Sequence, residues 1–283
     1  MRHRLLLAAA ATAALAVGAA GAAVSDRQRP DPNVAGLQTA LAVKGFYRGA
    51  IDGIRGPQTN RALREFRRSL RLTSVDVVDR RTLSGLGALG RPRYGTRALR
   101  LGTVGLDVAA LQFELRYHGF PNGERGRFGR RTFFALKRFQ QYAGLTADGV
   151  AGRSTYDALA VPPPAAPRLR PPVSAVQRAT AMGYAVELSC SYATAVAAGI
   201  GGTVAFAADR GRGYGYTVVT RDARGLEVVY AHLARIDVEK GDRVVPGALI
   251  GLAGWTGKKR AETSLRIELR LRGALLNAYD AVR

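Results

Sequence analysis

Cysteine and histidine are scarce in this sequence. One cysteine among 283 residues excludes an intramolecular disulfide, and three histidines leave few imidazole ligands for a metal. Acidic residues number 21 against 43 lysines and arginines, so the formal net charge of +22 attracts the chain to anionic surfaces. Long hydrophobic runs are missing beyond the N-terminus, which excludes a polytopic membrane protein. The length predicts two or three domains.

The N-terminus has the pattern of a secretory signal peptide over residues 1–22. Basic residues in the first four positions precede an apolar run from Leu5 to Val17, and small residues end the pattern at Ala22. We expect cleavage to release an exported protein into the cell wall or periplasm; an uncleaved anchor is the alternative. Export argues against nucleic acid as a partner and favours the anionic polymers of the bacterial wall.

A repeat fills the first half of the chain. The LQ dipeptide that ends at Gln38 recurs at Gln112, 74 residues later, and a series of Gly, Thr, Ala and Phe positions then recurs with a displacement of 73. Apolar residues at helical spacing, punctuated by Asp, Gly and Pro, predict three short helices in each copy. We therefore expect two small all-α three-helix bundles, unit 1 over residues 31–90 and unit 2 over residues 100–160.

These units resemble the peptidoglycan-binding domain found beside many cell-wall hydrolases. Unit 2 carries the family's LQ, FQ and DG-x-x-G-x-x-T motifs at Gln112, Gln140 and Asp148, whereas unit 1 has Arg67 in place of the second glutamine. The resemblance implies peptidoglycan as the partner of both units.

The motif residues themselves have structural roles, because glycine permits tight turns, Thr and Asp cap helices, and Leu and Phe form cores. Binding would then depend on polar or aromatic groups beside the turns. The candidate ligand-binding residues are Tyr47, Asn122 and Tyr142.

A proline-rich linker separates this half from a β domain. Six of the 12 prolines fall within residues 161–173, which predicts a non-helical, semi-rigid spacer. Over residues 174–283, short runs of β-branched and aromatic residues alternate with glycines, and no ten-residue helical pattern intervenes. This segment is predicted to be an antiparallel all-β domain.

The β domain resembles the LytM domain of the M23 family of zinc endopeptidases. The family's YAHL, KGDxV and GxTG motifs occur in the family's order and at its spacing, around His232, Lys240 and Gly254. The resemblance implies a groove in which zinc activates a water molecule for peptide hydrolysis.

The residues at the family's zinc positions depart from its pattern. Counting without gaps places Gly183 and Glu187 at the first His and the Asp ligands, and Ser264 and Arg266 at the catalytic and the last ligand histidines. Arginine has no lone pair to offer a metal. We expect no metal or cofactor, with His232 and Ser264 as vestiges of the site, and a salt bridge between Glu187 and Arg266 in its place.

Two further residues are of types that can act as a nucleophile or a metal ligand. Cys190 is expected to be a buried, unreactive thiol, and His118 an ordinary residue at a helix end.

Together these features predict that the chain is not an enzyme. It would be a secreted peptidoglycan-binding protein that regulates or scaffolds wall remodelling, since inactive domains of the resembled family activate wall amidases. The partner would then be a cell-wall amidase or another hydrolase. The alternative is a zinc-dependent peptidoglycan endopeptidase with an unconventional site.

Overall fold

The structure is a computed structural model that describes residues 30–123, 125–211, 213–258 and 261–282. It has a helical first half and an antiparallel β domain, which confirms the predicted fold class. The predicted signal peptide over residues 1–22 lies outside the described residues. Within those ranges, no helix combines the length and the apolar composition needed to cross a bilayer.

Each helical unit is built from three α-helices. They are α1 (Pro32–Val43), α2 (Pro57–Ser69) and α3 (Arg80–Gly85) in unit 1, with a 3₁₀ turn at Gly87–Gly90, and α4 (Leu106–Tyr117), α5 (Arg130–Tyr142) and α6 (Arg153–Ala160) in unit 2. Helix α1 begins after Asp31, whose carboxylate accepts a hydrogen bond from the Asn33 backbone N–H at 2.7 Å. Asp79 caps α3 in the same way, because it accepts from the Thr82 N–H at 2.8 Å.

The glutamine of each LQ motif is buried and holds the turn that precedes the next helix. The Gln38 carbonyl oxygen accepts from the backbone N–H groups of Asp52 and Gly53 at 3.1 and 3.0 Å. The Gln112 oxygen accepts from the Gly126 N–H at 3.0 Å, and its amide donates to the Thr132 hydroxyl at 2.9 Å. The motif therefore fixes a turn by satisfying its backbone groups.

A second clamp of the same kind closes each unit. In unit 2, the Gln140 amide donates to Asp148 at 2.8 Å and its oxygen accepts from the Gly149 N–H at 2.9 Å. In unit 1, Arg67 takes this place: its guanidinium pairs with Asp79 at 2.9 Å and donates to the Thr73 carbonyl oxygen at 2.9 Å. The departure of unit 1 from the family pattern is thus compensated by an ion pair.

The two units pack against each other through α1 and α4. Gly36 lies at their crossing, where a Cβ atom would come within 2.9 Å of the Leu106 carbonyl oxygen. A side chain at this position would push the helices apart, so a glycine is needed there. Arg116 adds a polar contact, since its guanidinium donates to the Ile51 carbonyl oxygen at 2.7 Å.

The β domain is one antiparallel sheet. Its strands are β1 (Arg178–Met182), β2 (Ala185–Ser189), β3 (Ala195–Ala197), β4 (Gly202–Asp209), β5 (Tyr216–Arg221), β6 (Leu226–Ile236), β7 (Arg243–Val244), β8 (Leu249–Ala253), β9 (Ser264–Leu271) and β10 (Ala274–Leu276). They lie in the order β1-β2-β9-β6-β5-β4-β7, with β10 beside β9 and β8 joining β3 to β6. A short helix, α7 (Ala278–Ala281), follows.

The core of this domain lies on one face of the central strands. Val186, Val228, Ile267 and Leu269 are fully buried there, as expected from the alternation of apolar residues along β2, β6 and β9. Tyr230 is also buried, and its hydroxyl accepts a hydrogen bond from the Gly199 N–H at 2.7 Å. The central strands β2, β9 and β6 are therefore well anchored, and the groove described below is built on them.

The proline-rich segment contains no helix, as expected, but it does not act as a free spacer. Leu169 and Val173 are buried in the core of the β domain. The Leu169 N–H donates to the Ala281 carbonyl oxygen at 2.8 Å, and the Pro172 carbonyl oxygen accepts from the Ala197 N–H at 2.7 Å. The expectation of a free spacer was wrong in this respect, because burying the apolar residues between the prolines is more favourable in free energy than exposing them to water.

Unit 2 also touches the β domain directly. The Leu275 N–H donates to the Gly119 carbonyl oxygen at 3.1 Å, and Ala274 packs into the apolar core of unit 2. Gly119 has a positive φ of 84°, and a Cβ there would lie 2.1 Å from the Leu275 oxygen. The close approach of β10 to the end of α4 thus depends on glycine.

The glutamine clamps lead to a prediction. We expect Gln140→Ala to lower the free energy of unfolding of unit 2 by about 2 to 4 kcal/mol, because several buried turn groups would lose their partner. Hydrogen exchange at the Gly149 amide, followed by mass spectrometry, should show a loss of protection. Gln141→Ala is the matched control, since Gln141 is exposed on the same helix. Equal protection in the two variants would contradict the clamp.

Candidate functional site

The groove expected from the sequence lies on strands β2, β9 and β6, which are neighbours in the sheet. Glu187 on β2 stands opposite Arg266 on β9, and Arg266 stands opposite Ala231 on β6. His232 follows Ala231 directly, and Ser264 begins β9. The structure therefore brings together Glu187, His232, Ser264 and Arg266, the four groove residues that were expected to share this site.

His232 is buried and held by backbone contacts. Its ring Nδ1 lies 2.9 Å from the Thr256 carbonyl oxygen, which can only accept, so Nδ1 carries a proton and the neutral ring has its lone pair on Nε2. Burial lowers the pKa of His232 and favours this neutral form. The residue has a φ of 67°, an uncommon conformation for a residue other than glycine. It occurs where the β5–β6 pairing shifts register.

Glu187 forms an ion pair with Lys258, a residue that the sequence analysis did not identify. The Lys258 ammonium donates to Glu187 at 3.2 Å and to the Ser264 hydroxyl oxygen at 2.7 Å. The Ser264 hydroxyl in turn donates to Glu187 at 3.2 Å, and His232 Nε2 lies 3.9 Å from the other carboxylate oxygen. Burial acts to raise the pKa of Glu187, but the hydrogen bonds and the charge of Lys258 lower it below its ordinary value.

The expected salt bridge between Glu187 and Arg266 was wrong. Arg266 instead pairs with Glu268, two residues along the same strand, at 2.8 Å. Glu268 also accepts from Arg270 at 2.7 Å and from the Tyr214 hydroxyl at 3.0 Å. Burial acts to raise the pKa of Glu268, but the two arginines lower it. Glu268 is the more buried of the two carboxylates, 6% exposed against 23% for Glu187, and it lies on the same face of β9 as Arg266.

Gly183 lies in the turn of the β1–β2 hairpin, between Met182 and Ala185, which are paired. Its surroundings include Phe113 and Arg116 of unit 2, not the polar residues of the groove. The turn at residues 183 and 184 precedes β2, the strand on which Glu187 lies. A glycine at this position has no side chain that could ligate a metal.

The groove residues do not fit the zinc ion that the M23 resemblance implies. A zinc hydrolase needs three protein ligands and an open position for water. Glu187 is paired with Lys258, Arg266 cannot ligate a metal, and Gly183 has no side chain and lies in the hairpin turn. Among the described residues, no cluster of three or more His, Cys, Asp or Glu side chains could hold a metal.

Each of the three candidate ligand-binding residues of the helical units contacts other residues of its own unit. Tyr47 is only 6% exposed, and its hydroxyl donates to the Ala50 carbonyl oxygen at 2.7 Å. Asn122 donates to the Gln112 carbonyl oxygen at 2.9 Å, so part of its role is structural. Tyr142 is half-buried against Phe120. Their role in binding stays a prediction.

The two residues that were expected to be structural are buried. Cys190 is a free thiol whose pKa is raised by burial. His118 caps the end of α4, and its ring Nε2 lies 3.0 Å from the Leu159 carbonyl oxygen.

Exposed aromatic residues mark two surfaces that sequence reasoning missed. Tyr192 and Trp255 lie beside the groove, 57% and 40% exposed, with ring centroids 4.6 Å apart; we call this pair the aromatic ledge. On unit 2, Phe134 is 53% exposed and lines a shallow cleft with Asn122 and Arg131, which we call the Phe134 cleft. Exposed apolar groups rimmed by polar ones are typical of binding surfaces.

One turn connects the ledge to the floor of the groove. It runs from Trp255 to Lys258, whose backbone N–H donates to the Trp255 carbonyl oxygen at 3.1 Å. Thr256 within it accepts from His232 and donates to the Leu233 carbonyl oxygen at 2.6 Å. The GxTG motif was the only signal for this turn, and it does not include Lys258, which is why the lysine was missed.

Comparison with known families agrees with this division of the chain. Residues 30–86 and 104–159 each match the family model of a peptidoglycan binding domain. Residues 181–278 match the model of peptidase family M23. The chain thus contains two peptidoglycan-binding segments followed by a C-terminal M23 domain, as expected from the sequence.

Individual relatives cover only parts of the chain. It is 43% identical over 67 residues to the spore cortex-lytic enzyme of Oceanobacillus iheyensis, which is 23% of this chain and 24% of that protein. It is 34% identical over 92 residues to the DD-carboxypeptidase/endopeptidase Mpg of Neisseria meningitidis, 32% of this chain and 21% of that protein. The chain therefore spans about a quarter or less of the length of these curated relatives.

These relatives bear on the expectation that the chain is not an enzyme. Proteins that it matches are named as a lytic enzyme and an endopeptidase, so the expectation of a non-enzyme is contradicted.

Among solved structures, a zinc-containing peptidase from Vibrio cholerae superimposes with a TM-score of 0.36 at 22% identity, over 40% of this chain and 39% of that one.

The Glu268 cluster gives a prediction about acid stability. Because the pKa of Glu268 is lowered in the folded state, its stabilising contribution is complete above the unfolded value of about 4.3 and is lost as the pH falls through the folded value. We expect Glu268→Gln to lower the free energy of unfolding by about 2 kcal/mol at pH 7 and to reduce its loss between neutral and acid pH.

Urea denaturation at a series of pH values measures both effects. Glu239→Gln is the control, since Glu239 is exposed in the same domain. An unchanged pH profile for Glu268→Gln would contradict the assignment.

Proposed function

We propose that this protein binds peptidoglycan and acts in cell-wall hydrolysis. One observation carries the proposal: two peptidoglycan-binding segments precede an M23 domain in a single chain. The names of the partial relatives, a spore cortex-lytic enzyme and an endopeptidase, support the same process. In this proposal the helical units hold the wall and the β domain presents its groove to it.

The two exposed aromatic surfaces are the proposed wall contacts. Aromatic faces provide large apolar contacts at low entropic cost, and neighbouring arginines can pair with the carboxylates of wall peptides. The Phe134 cleft has this combination, because Arg131 and Arg138 flank the ring. It also includes Asn122, one of the residues expected from the sequence to bind.

The aromatic ledge would serve the β domain in the same way. Trp255 belongs to the turn that carries Lys258, so wall polymer that binds to the rings of Tyr192 and Trp255 would lie near the groove. The proposed role of the ledge is to hold the polymer over the groove, whereas the helical units keep the whole chain on the wall.

Electrostatics supports a wall partner as well. A formal net charge of +22 attracts the chain to carboxylates and phosphates of wall polymers, and salt screens this attraction over about 8 Å at physiological ionic strength. The domain content and the wall-lytic relatives point to an extracytoplasmic location. Cleavage of a signal peptide, binding to anionic wall polymers and activation of a separate hydrolase stay predictions.

Sedimentation with purified sacculi tests the proposal. We expect most of the full chain to pellet with sacculi at physiological salt, and soluble muropeptides to appear on incubation if hydrolysis occurs in this chain itself. Chromatography and mass spectrometry of the supernatant identify the fragments. Serum albumin controls for trapping in the pellet. A chain that stays in the supernatant at low and physiological salt would contradict peptidoglycan binding.

Point variants locate the contacts. We expect Phe134→Ala and Trp255→Ala each to weaken sacculus binding about five- to thirtyfold, because a central aromatic residue contributes about 1 to 2 kcal/mol to an interface. Their matched controls are Leu101→Ala in unit 2 and Leu249→Ala in the β domain, which remove apolar groups that are 54% and 50% exposed. Binding curves from pelleting provide the comparison. Equal losses in variants and controls would exclude these surfaces as specific contacts.

A further inference from the structure

The Lys258 side chain reaches into the floor of the groove and ends among oxygen atoms. Its ammonium donates to Glu187 at 3.2 Å, to the Ser264 hydroxyl oxygen at 2.7 Å and to the Glu262 carbonyl oxygen at 3.2 Å. An ammonium group has three N–H donors. All three are therefore used by this chain's own acceptors.

These contacts join parts of the chain that are distant in sequence. Glu187 lies on β2, Ser264 begins β9, and Lys258 lies in the loop between β8 and β9. The Lys258 side chain is only 16% exposed. Ordering a lysine costs about 1.5 to 2 kcal/mol of rotamer freedom, so a long-range arrangement of this kind persists only where the contacts offset that cost.

The oxygen atoms surround the Lys258 ammonium as they would surround a bound cation, so here the chain itself supplies the cation. A zinc hydrolase leaves one coordination position open to water. Here the three N–H groups point to oxygen atoms, and the fourth direction around the nitrogen is taken by the side-chain carbon of Lys258 itself. A divalent ion would have to displace the ammonium from Glu187 or lie close to it, against the repulsion of like charges.

We propose that Lys258 is a built-in cation that takes the position of the metal in this M23 groove. The ammonium neutralises Glu187 and orders Ser264, two tasks that the absent ion would otherwise perform for the groove. Any chemistry of the groove on the wall is then independent of zinc. This inference goes beyond the proposed function, since wall binding does not depend on how the groove is neutralised.

Metal content of the tag-free full chain provides the first test. The protein is treated with chelator, dialysed against a small excess of zinc and then against buffer, and analysed by mass spectrometry for bound metal. We expect far less than one zinc per chain, and a melting temperature that zinc does not change. One zinc per chain that is lost in Glu187→Gln would overturn the proposal.

Chemical rescue provides the second test. We expect Lys258→Ala to lower the melting temperature of the β domain by several degrees, because Glu187 and Ser264 lose their cation. Ethylammonium chloride should restore part of this loss, whereas sodium chloride at equal ionic strength should not. Lys240→Ala is the matched control, since Lys240 is exposed in the same domain. Equal effects of the two salts on Lys258→Ala would contradict a cation site.

The outcomes separate this proposal from the proposed function. If Lys258→Ala does not fold, the zinc content of the unaltered chain still decides. Failure to bind sacculi would contradict the proposed function and leave the Lys258 assignment standing. Fragment release from sacculi that is abolished by chelator and restored by zinc would overturn the Lys258 assignment and support cell-wall hydrolysis.

Discussion

A glutamine buried between helices must find partners for its amide N–H groups and for its carbonyl oxygen, since an unsatisfied buried polar group costs about 1 to 3 kcal/mol. In the helical half, Gln38, Gln112 and Gln140 meet this requirement through the backbone of a turn. Each of these turns determines where the following helix begins. Units too small for a large apolar core are thus held by a few polar clamps, and Arg67 with Asp79 shows that charge can replace the amide.

The same requirement shapes the groove of the β domain. Two carboxylates lie in it, the buried Glu268 and the partly buried Glu187, and each has its own cations. Lys258 neutralises Glu187, whereas Arg266 and Arg270 neutralise Glu268. The cations of Glu268 lie two residues away on its own strand, whereas Glu187 on β2 is paired with a lysine from the loop between β8 and β9, far away in sequence. Only the charge balance at Glu187 therefore depends on long-range pairing.

The sequence predicted the fold better than the groove. The repeat, the helix caps at Asp31 and Asp79 and the alternation along the strands are local signals, so the two bundles and the antiparallel sheet followed from them. The ion pair that Glu187 forms could not be predicted from such local signals. Register alone places Arg266 opposite Glu187, but the choice between Arg266 and Lys258 depends on side-chain packing and on a loop that has no periodicity. The docking of the proline-rich segment was missed for the same reason.

The strained backbone of His232 connects these observations. A residue other than glycine with positive φ costs about 1 to 3 kcal/mol and persists where its surroundings fix it. Here the Tyr214 carbonyl oxygen accepts from its backbone N–H at 2.8 Å, and the Thr256 carbonyl oxygen accepts from its ring. Thr256 lies in the turn that also carries Trp255 and Lys258. One turn therefore carries the Trp255 ring of the aromatic ledge, the carbonyl oxygen that fixes the His232 ring and the lysine that pairs with Glu187.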